Sequence, residues 1–250
     1  MAGRTQKTEA VVLRSFRFGE ADRILHLYTL AGGRVGALAK GVRKTKSRFG
    51  GRLEPLSHVE VLLHRGSGDL GTITGVELVR PHSRAREDYY RLGVGLIGAE
   101  AMLRLFGEPE PNARAFEAIT RFLDLLDDLE PLPRGRPELD PLALSFQLKL
   151  LWLSGYLPHL TSCAECGAAD AALVGYSPKA GGAVCGACAS GADALALAPA
   201  SIALVEELLR RPMAEAGSAG LTERAARDAL KLVTASYEYH GGFRLRTLSA

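Results

Sequence analysis

The chain has 250 residues, of which 47% are apolar and 24% charged, with a net charge of +3; these proportions are those of a folded globular protein and exclude wholesale disorder. No stretch approaches the roughly 18 uncharged apolar residues of a membrane helix, and no apolar run of secretory type follows the two N-terminal basic residues, so a cytoplasmic setting is expected. The charge is unevenly placed, with 16 Lys or Arg against 7 Asp or Glu over residues 1–86 and 15 against 21 over the rest, as expected when one part of a chain faces a polyanion; the plain alternative is a small domain that happens to be basic.

In chain order, five short strands are expected first: Thr8 to Phe16, Asp22 to Leu30, Arg34 to Lys40, Val59 to His64 and Leu70 to Val79. Ile24, His26, Tyr28 and Leu30 alternate onto one face of the second strand, and Leu70, Thr72, Thr74, Val76 and Leu78 onto one face of the fifth. Ala31-Gly32-Gly33 and Arg65-Gly66-Ser67-Gly68-Asp69 supply turns. Five strands without an intervening amphipathic helix predict a small barrel, with a five-stranded OB barrel fitting the count and an SH3-like barrel also compatible. Disorder is expected at Met1 to Lys7, around residues 131–138 and over the last few residues.

At Pro81 the period changes from 2 to 3.6. Leu92, Leu96, Ala99, Leu103 and Phe106 predict a helix over residues 85–106, and Phe116, Ile119, Leu123 and Leu126 a second over about 112–129. Leu142, Phe146, Leu150, Leu153 and Leu157 predict a third that closes near Pro158. Pro199 opens a fourth through Ile202, Val205 and Leu209, and Thr222 caps a fifth with Ala226, Leu230, Val233 and Tyr237 inward. The expected organisation is an OB-fold nucleic-acid-binding domain over residues 1–80 and a helical domain over 81–250, with a cysteine-bearing module inserted at about 160–192. The predicted fold class is thus a multidomain chain, all-β then mainly α.

All four cysteines lie in that insert, as Cys163-Ala-Glu-Cys166 and Cys185-Gly-Ala-Cys188. Two intervening residues let both thiolates of a pair face one ion, and Gly167 and Gly186 follow a cysteine where a tight turn helps the pair converge. With a hairpin from Ala172 to Tyr176 and Gly182 to Val184 between the pairs, the layout is that of a zinc ribbon. Two disulfides do not suit a chain without a secretion signal, and iron–sulfur clusters use other spacings. Four thiolates leave no open position for water, so the expected Zn2+ is structural and Cys163, Cys166, Cys185 and Cys188 are its ligands. His159 is read as a surface or supporting residue.

The densest charge is the run from Lys40 to Arg52, which holds Lys40, Arg43, Lys44, Lys46, Arg48 and Arg52 and no acidic residue. Such a run between the third and fourth strands would neutralise phosphates with little regard for base sequence; a solvated loop is the plainer reading. Phe49 is either a base-stacking partner beside Arg48 or a residue of the barrel core.

The stretch Lys40-Gly41-Val42-Arg43-Lys44-Thr45-Lys46-Ser47-Arg48, continued to Pro55, resembles the signature region of the bacterial recombination-mediator family RecO. Ala10 to Arg14 and Gly19 to Ile24 are similar to that family's first two strands, and Ser154-Gly155-Tyr156 before Cys163 is similar to its zinc-bearing members. The resemblance implies an OB domain, a helical domain and a zinc module. It implies binding of single- and double-stranded DNA, annealing of complementary strands and, with the partner RecR, loading of RecA onto DNA coated by single-strand-binding protein. It also implies a grip on the acidic C-terminal tail of single-strand-binding protein, for which Arg121 is a conceivable contact, and a nucleoid-associated setting. The DNA contacts it carries over are Arg14, Lys40, Arg43, Lys44, Lys46, Arg48 and Arg52. The segment His240 to Arg246 matches the family's basic C-terminus only loosely.

No Walker-type phosphate loop, histidine–glutamate metal motif or two-metal carboxylate cluster is present in the sequence, so a non-enzymatic mediator is expected. Asp124, Asp127 and Asp128 read as a solvated rim or a partner-facing patch. An RNA-binding barrel and a protein adaptor that touches no nucleic acid are the competing readings.

Overall fold

The computed structural model describes residues 4–65, 68, 70–131 and 135–248. Two compact units divide the chain, residues 1–130 and 131–250.

The first unit is a closed five-stranded barrel with α-helices that pack on it. Its strands are β1 (Arg4–Phe18), β2 (Asp22–Thr29), β3 (Gly33–Ala39), β4 (His58–Arg65) and β5 (Gly71–Arg80). They close in the order β1-β2-β3-β5-β4, with β4 returning to β1 and a short parallel pairing of β3 with β5. This is the OB-fold order. Residues 4–7, expected to be disordered, are strand and pair with Arg65 to Leu62 of β4. Met1–Gly3, three residues of the expected turn (Gly66, Ser67 and Asp69), residues 132–134 and the last two residues lie outside the described set.

The barrel core comprises Ala10, Val12, Leu25, Leu27, Val35, Ala37, Ala39, Val59, Val61, Leu63 and Ile73, plugged by Phe49 and Leu53 from the β3–β4 connection. On β2 the inward side chains are therefore Leu25 and Leu27, and Ile24 and His26 are on the outer face. On β5 the expected single face is broken. Leu63 pairs with Ile73 and Leu62 with Gly75, so Thr74 is an extra residue. The bulge turns Ile73 and then Val76 toward the core, and Thr74 and Leu78 are exposed.

Three helices complete this unit: α1 (Ser83–Glu87), α2 (Tyr89–Leu105) and α3 (Ala113–Asp127). The single helix expected over 85–106 is split at Asp88, whose extended backbone ends α1 and whose carboxylate accepts from the Arg91 amide to cap α2. The buried face of α2 runs through Arg91, Val94, Gly95, Gly98 and Met102, and Leu96 of the expected stripe is exposed. Glycine is the cause. A Cβ on Gly95 would sit 2.6 Å from Leu56 and one on Gly98 2.4 Å from the Phe122 ring, so α2 approaches its neighbours along the face that has no side chains. Gly98→Ala is expected to destabilise the chain by about 1–3 kcal/mol through overpacking, despite a helix-propensity gain of up to about 1 kcal/mol. A urea titration that finds the variant as stable as the parent would show that α3 yields there freely.

The carboxylates of α3 are not a free rim. Asp124 meets Arg80 at 3.2 Å and the fully buried His82 at 2.9 Å, Asp128 meets Arg80 at 2.8 Å, and Asp127 accepts from the Ala85 amide at 2.9 Å. His82 also donates Nδ1–H to the Leu56 carbonyl at 2.7 Å. These bonds fix the end of β5 and the start of α1 to α3.

The second unit comprises α4 (Pro141–Leu153), α5 (Pro199–Arg210), α6 (Glu223–Gly241) and a three-stranded sheet of β6 (Leu173–Ser177), β7 (Gly182–Cys185) and β8 (Leu195–Ala196), ordered β7-β6-β8. α5 and α6 start at the residues expected from the sequence. Asp140 caps α4 with bonds from the Leu142 and Ala143 amides, Pro199 occupies the first turn of α5, and Thr222 accepts from Ala225 at the start of α6. α4 ends at Leu153, four residues short of the expected stop, and Leu157 is half exposed. In the core Tyr237 donates to Gln147 Oε1 at 2.5 Å, and Tyr176 and Ser236 share a bond of 2.7 Å. The segment after α6 folds back: Gly242 closes the helix in the left-handed region, Phe243 stacks on Tyr237 and Leu245 is buried.

Candidate nucleic-acid interface and metal centre

The β3–β4 connection, residues 40–57, is built from consecutive tight turns, with amide bonds from Lys44 to Gly41, Ser47 to Lys44, Gly50 to Ser47 and Arg52 to Phe49. Its apolar residues anchor it from below. Phe49 and Leu53 are 1% exposed and belong to the barrel core, so of the two readings of Phe49 the core one holds and the base-stacking one fails. With the anchors inward, Lys40, Arg43, Lys44, Lys46, Arg48 and Arg52 are all exposed. None of the six pairs with a carboxylate among the described residues. Arg43 donates to the Glu20 carbonyl at 3.1 Å, Arg52 to the Arg48 carbonyl at 3.2 Å, and Arg48 is 4.8 Å above the Phe49 ring. The first two are neutral acceptors, which hold the side chains without cancelling their charge. Acidic neighbours are occupied elsewhere: Glu54 pairs with Arg23 at 3.2 Å, and Asp22 accepts from the Gly41 amide at 2.7 Å. Arg14, on the outer face of β1, is exposed and also without an ion pair.

The four cysteines converge. Their Sγ atoms all lie within 4.8 Å of one another, and Cys166 and Cys185 are 3.9 Å apart. Tetrahedral thiolates at about 2.3 Å from one ion are about 3.8 Å from each other, so the cluster has the size of a metal site. The local fold supplies it. The β6–β7 hairpin carries Cys185 at its end, and the Cys185 amide points at Cys163 Sγ at 3.4 Å. Gly167 turns the first pair with φ 75° and donates to the Cys163 carbonyl; Gly186 needs no such backbone. Backbone amides of Cys166 and Cys185 pull the Cys163 thiol down to about 6, whereas hydrogen bonds to the Cys166 and Cys185 thiols push Cys188 up to about 12. Four thiols this close cannot all ionise without a cation between them. The donor set can therefore hold a metal ion with no position left for water, a structural arrangement. His159 is outside it, bonded through Nε2 to Ser162 at 2.6 Å while its carbonyl accepts from the Ala183 amide.

One feature had no signature in the sequence. Lys149, Trp152, Leu157, Leu209, Arg210, Arg211 and Pro212 line an open cavity of about 460 Å³ in the second unit. The Lys149 ammonium donates to the Leu209 and Arg211 carbonyls at the end of α5, at 3.1 and 2.7 Å, and burial lowers its pKa. Trp152 and Leu157 are each about half exposed, and Arg210 has no carboxylate partner among the described residues. Arg121, on α3, is exposed but belongs to the other unit.

The family models for the N-terminal and C-terminal parts of recombination protein O match residues 1–82 and 86–249. The chain is 40% identical to the DNA repair protein RecO of Rubrobacter xylanophilus over 229 residues, 90% of this chain and 89% of that one. It is 37% identical to the RecO of a Nocardioides species over 94% of this chain and 93% of the relative, and 37% identical to that of Pelotomaculum thermopropionicum over 94% and 88%. None of the described helices is long and apolar enough to cross a membrane. With both family models matched along almost the full length, and an OB barrel followed by helices and a four-cysteine centre, the chain belongs to the RecO family of non-catalytic DNA repair and recombination mediators.

Proposed function

We propose that the protein binds single- and double-stranded DNA through its barrel, anneals complementary strands and, with RecR, helps RecA replace single-strand-binding protein. Residues 1–80 are then the nucleic-acid-binding domain and residues 81–250 a helical domain with a Zn2+ module at about 160–192, the setting being cytoplasmic and nucleoid-associated. The observation that carries this is the set of six exposed cations on residues 40–52 with no carboxylate paired to them among the described residues. Annealing is slowed by repulsion between two phosphate chains, and a surface that holds both at reduced effective charge lowers that barrier without making or breaking a bond. Arg14, Lys40, Arg43, Lys44, Lys46, Arg48 and Arg52 make the phosphate contacts in this reading. Annealing of complementary oligonucleotides coated with single-strand-binding protein, run with and without RecR and against matched RNA, is the test. Coated DNA that anneals no faster with the protein present would exclude the mediator reading.

The acidic tail of single-strand-binding protein is assigned here to the cavity beside α5. Trp152, Leu157 and Leu209 offer an apolar floor, and Lys149 and Arg210 a cationic rim for carboxylates, while Arg211 is paired with Glu207 at 2.7 Å. Trp152→Ala combined with Arg210→Glu is expected to weaken capture of a tail peptide at least tenfold, a loss of about 1.4 kcal/mol, with binding of naked DNA unchanged. Isothermal titration with the peptide checks this, and unchanged peptide affinity would remove the assignment.

A further inference from the structure

The outer face of β1 carries two aromatic side chains where a barrel strand facing water would carry polar ones. Phe16 is 36% exposed and Phe18 51%. They alternate with residues of the opposite face on β1, so their rings stand about 7 Å apart along the strand. Arg14 lies over the Phe16 ring at 4.5 Å, and His26 meets the same ring edge-on at 5.3 Å. Arg14 pairs across to His26 and His26 to Gly36, while Phe16 pairs to Ile24 and Ile24 to Leu38. The result is an apolar and aromatic floor in which Arg14 lies over one face of Phe16 and Phe18 is the more exposed ring.

Charge around this floor is positive. Burial, and then Arg34 and Arg14, lower the His26 pKa; Arg14 is opposite His26 in register, and Arg34 is opposite Tyr28, on the side of His26 away from Phe16. The basic connection is tied to the same end of the barrel: the Gly41 amide bonds Asp22, which faces Phe18 across the β1–β2 pair, and the Arg43 amide bonds the Ala21 carbonyl at 2.9 Å. Two acidic residues lie at this end: Asp22, opposite Phe18 in register, has its carboxylate engaged by that amide, and Glu20, two residues beyond Phe18, is exposed with its carbonyl accepting from Arg43.

We propose that Phe16 and Phe18, flanked by Arg14 and His26, form a stacking platform for unpaired bases, so that the barrel holds a single strand by its bases here while residues 40–52 hold phosphates. The proposal rests on the DNA-binding reading and deepens it. Aromatic rings offer duplex DNA little, because its bases are already stacked; unpaired bases gain a π-face whatever their identity. The platform therefore supplies a preference for single strands that the basic connection alone cannot, since phosphates are present in both forms. It also keeps the bases of a captured strand ordered beside the site that gathers the second one.

The test is fluorescence anisotropy of the full chain with a labelled oligothymidylate and with a labelled hairpin duplex. Phe16→Ala and Phe18→Ala are each expected to weaken single-strand binding about tenfold, with duplex affinity within twofold and the salt slope of each unchanged, because no charge is removed. Phe16→Trp, which keeps a stacking surface, should retain single-strand binding and guards against loss through misfolding. Equal losses on both DNA forms, or no loss on either, overturn the platform. The Arg43→Ala, Lys44→Ala variant separates that failure from failure of the DNA-binding reading itself: a platform that fails while this variant loses both forms leaves the reading standing.

Discussion

Replacing Arg43 and Lys44 together by alanine is expected to cut affinity near 0.1 M salt by about 50-fold for duplex DNA and about 25-fold for single strands. The magnitude follows from counterion release. Each phosphate neutralised contributes about 0.9 to the slope of log affinity against log salt on duplex, so near 0.1 M each contact is worth about eightfold. If the parent makes three to four contacts, its slope of about −3 should fall to about −1 in the double variant. Both side chains are exposed and neither carries an ion pair among the described residues, so removing them breaks no carboxylate contact there. Their removal leaves Phe49 and Leu53, which anchor the connection, in place. An unchanged slope would show that DNA passes this segment by. A lower affinity at constant slope would point to a change in the barrel rather than to lost phosphate contacts.

The parts of this site legible in the sequence were those written in local composition. Six cations in thirteen positions, and two pairs of cysteines at fixed spacing, need no tertiary information to be noticed. Helix starts were equally local, as Pro199 and Thr222 show. What depended on neighbours far along the chain was read less well. Alternation on β5 was extended through Thr74, because a single inserted residue leaves the composition of a strand untouched while it reverses every later side chain. The buried face of α2 was assigned to its leucines, since periodicity counts large apolar residues, whereas Gly95 and Gly98 are buried because Leu56 and Phe122 occupy the space their side chains would take. The Asp124, Asp127 and Asp128 group looked free because its partners Arg80, His82 and Ala85 lie about 40 residues upstream.

The outer face of the barrel illustrates the same limit from the other side. Arg14, Phe16 and Phe18 alternate visibly in sequence, but alternation alone does not say which face is the core. Only the burial of Leu25 and Leu27 on the neighbouring strand decides it, and with it decides that two phenylalanines meet solvent. The Lys149 cavity is less legible still, because the groups that form it are about 60 residues apart in the chain.

Cys163→Ser is expected to abolish stoichiometric metal binding and to unfold residues 160–192 while the barrel stays folded. The core of the metal module is small, consisting of Cys163, Val184, Cys185 and Ala192 with mostly alanines packed around them. So little apolar surface cannot hold some thirty residues in place, whereas an ion bound to four thiolates supplies about 10–16 kcal/mol of apparent binding energy in comparable small folds. Cys163 is the most consequential of the four. It is 1% exposed, its sulfur receives the Cys185 amide, and its carbonyl accepts from Gly167, so serine removes a ligand at the point where both pairs are joined. Limited proteolysis should cut the variant first within residues 160–192, and metal analysis of the purified chain should read near zero against one ion per parent molecule. DNA affinity should change by less than twofold, because residues 40–52 belong to the first compact unit and the cysteines to the second. A variant that resists protease as the parent does would mean that hairpin pairing of β6 with β7 holds the module without an ion. A variant that keeps its fold but loses DNA binding would instead assign the module itself a part of the nucleic-acid surface.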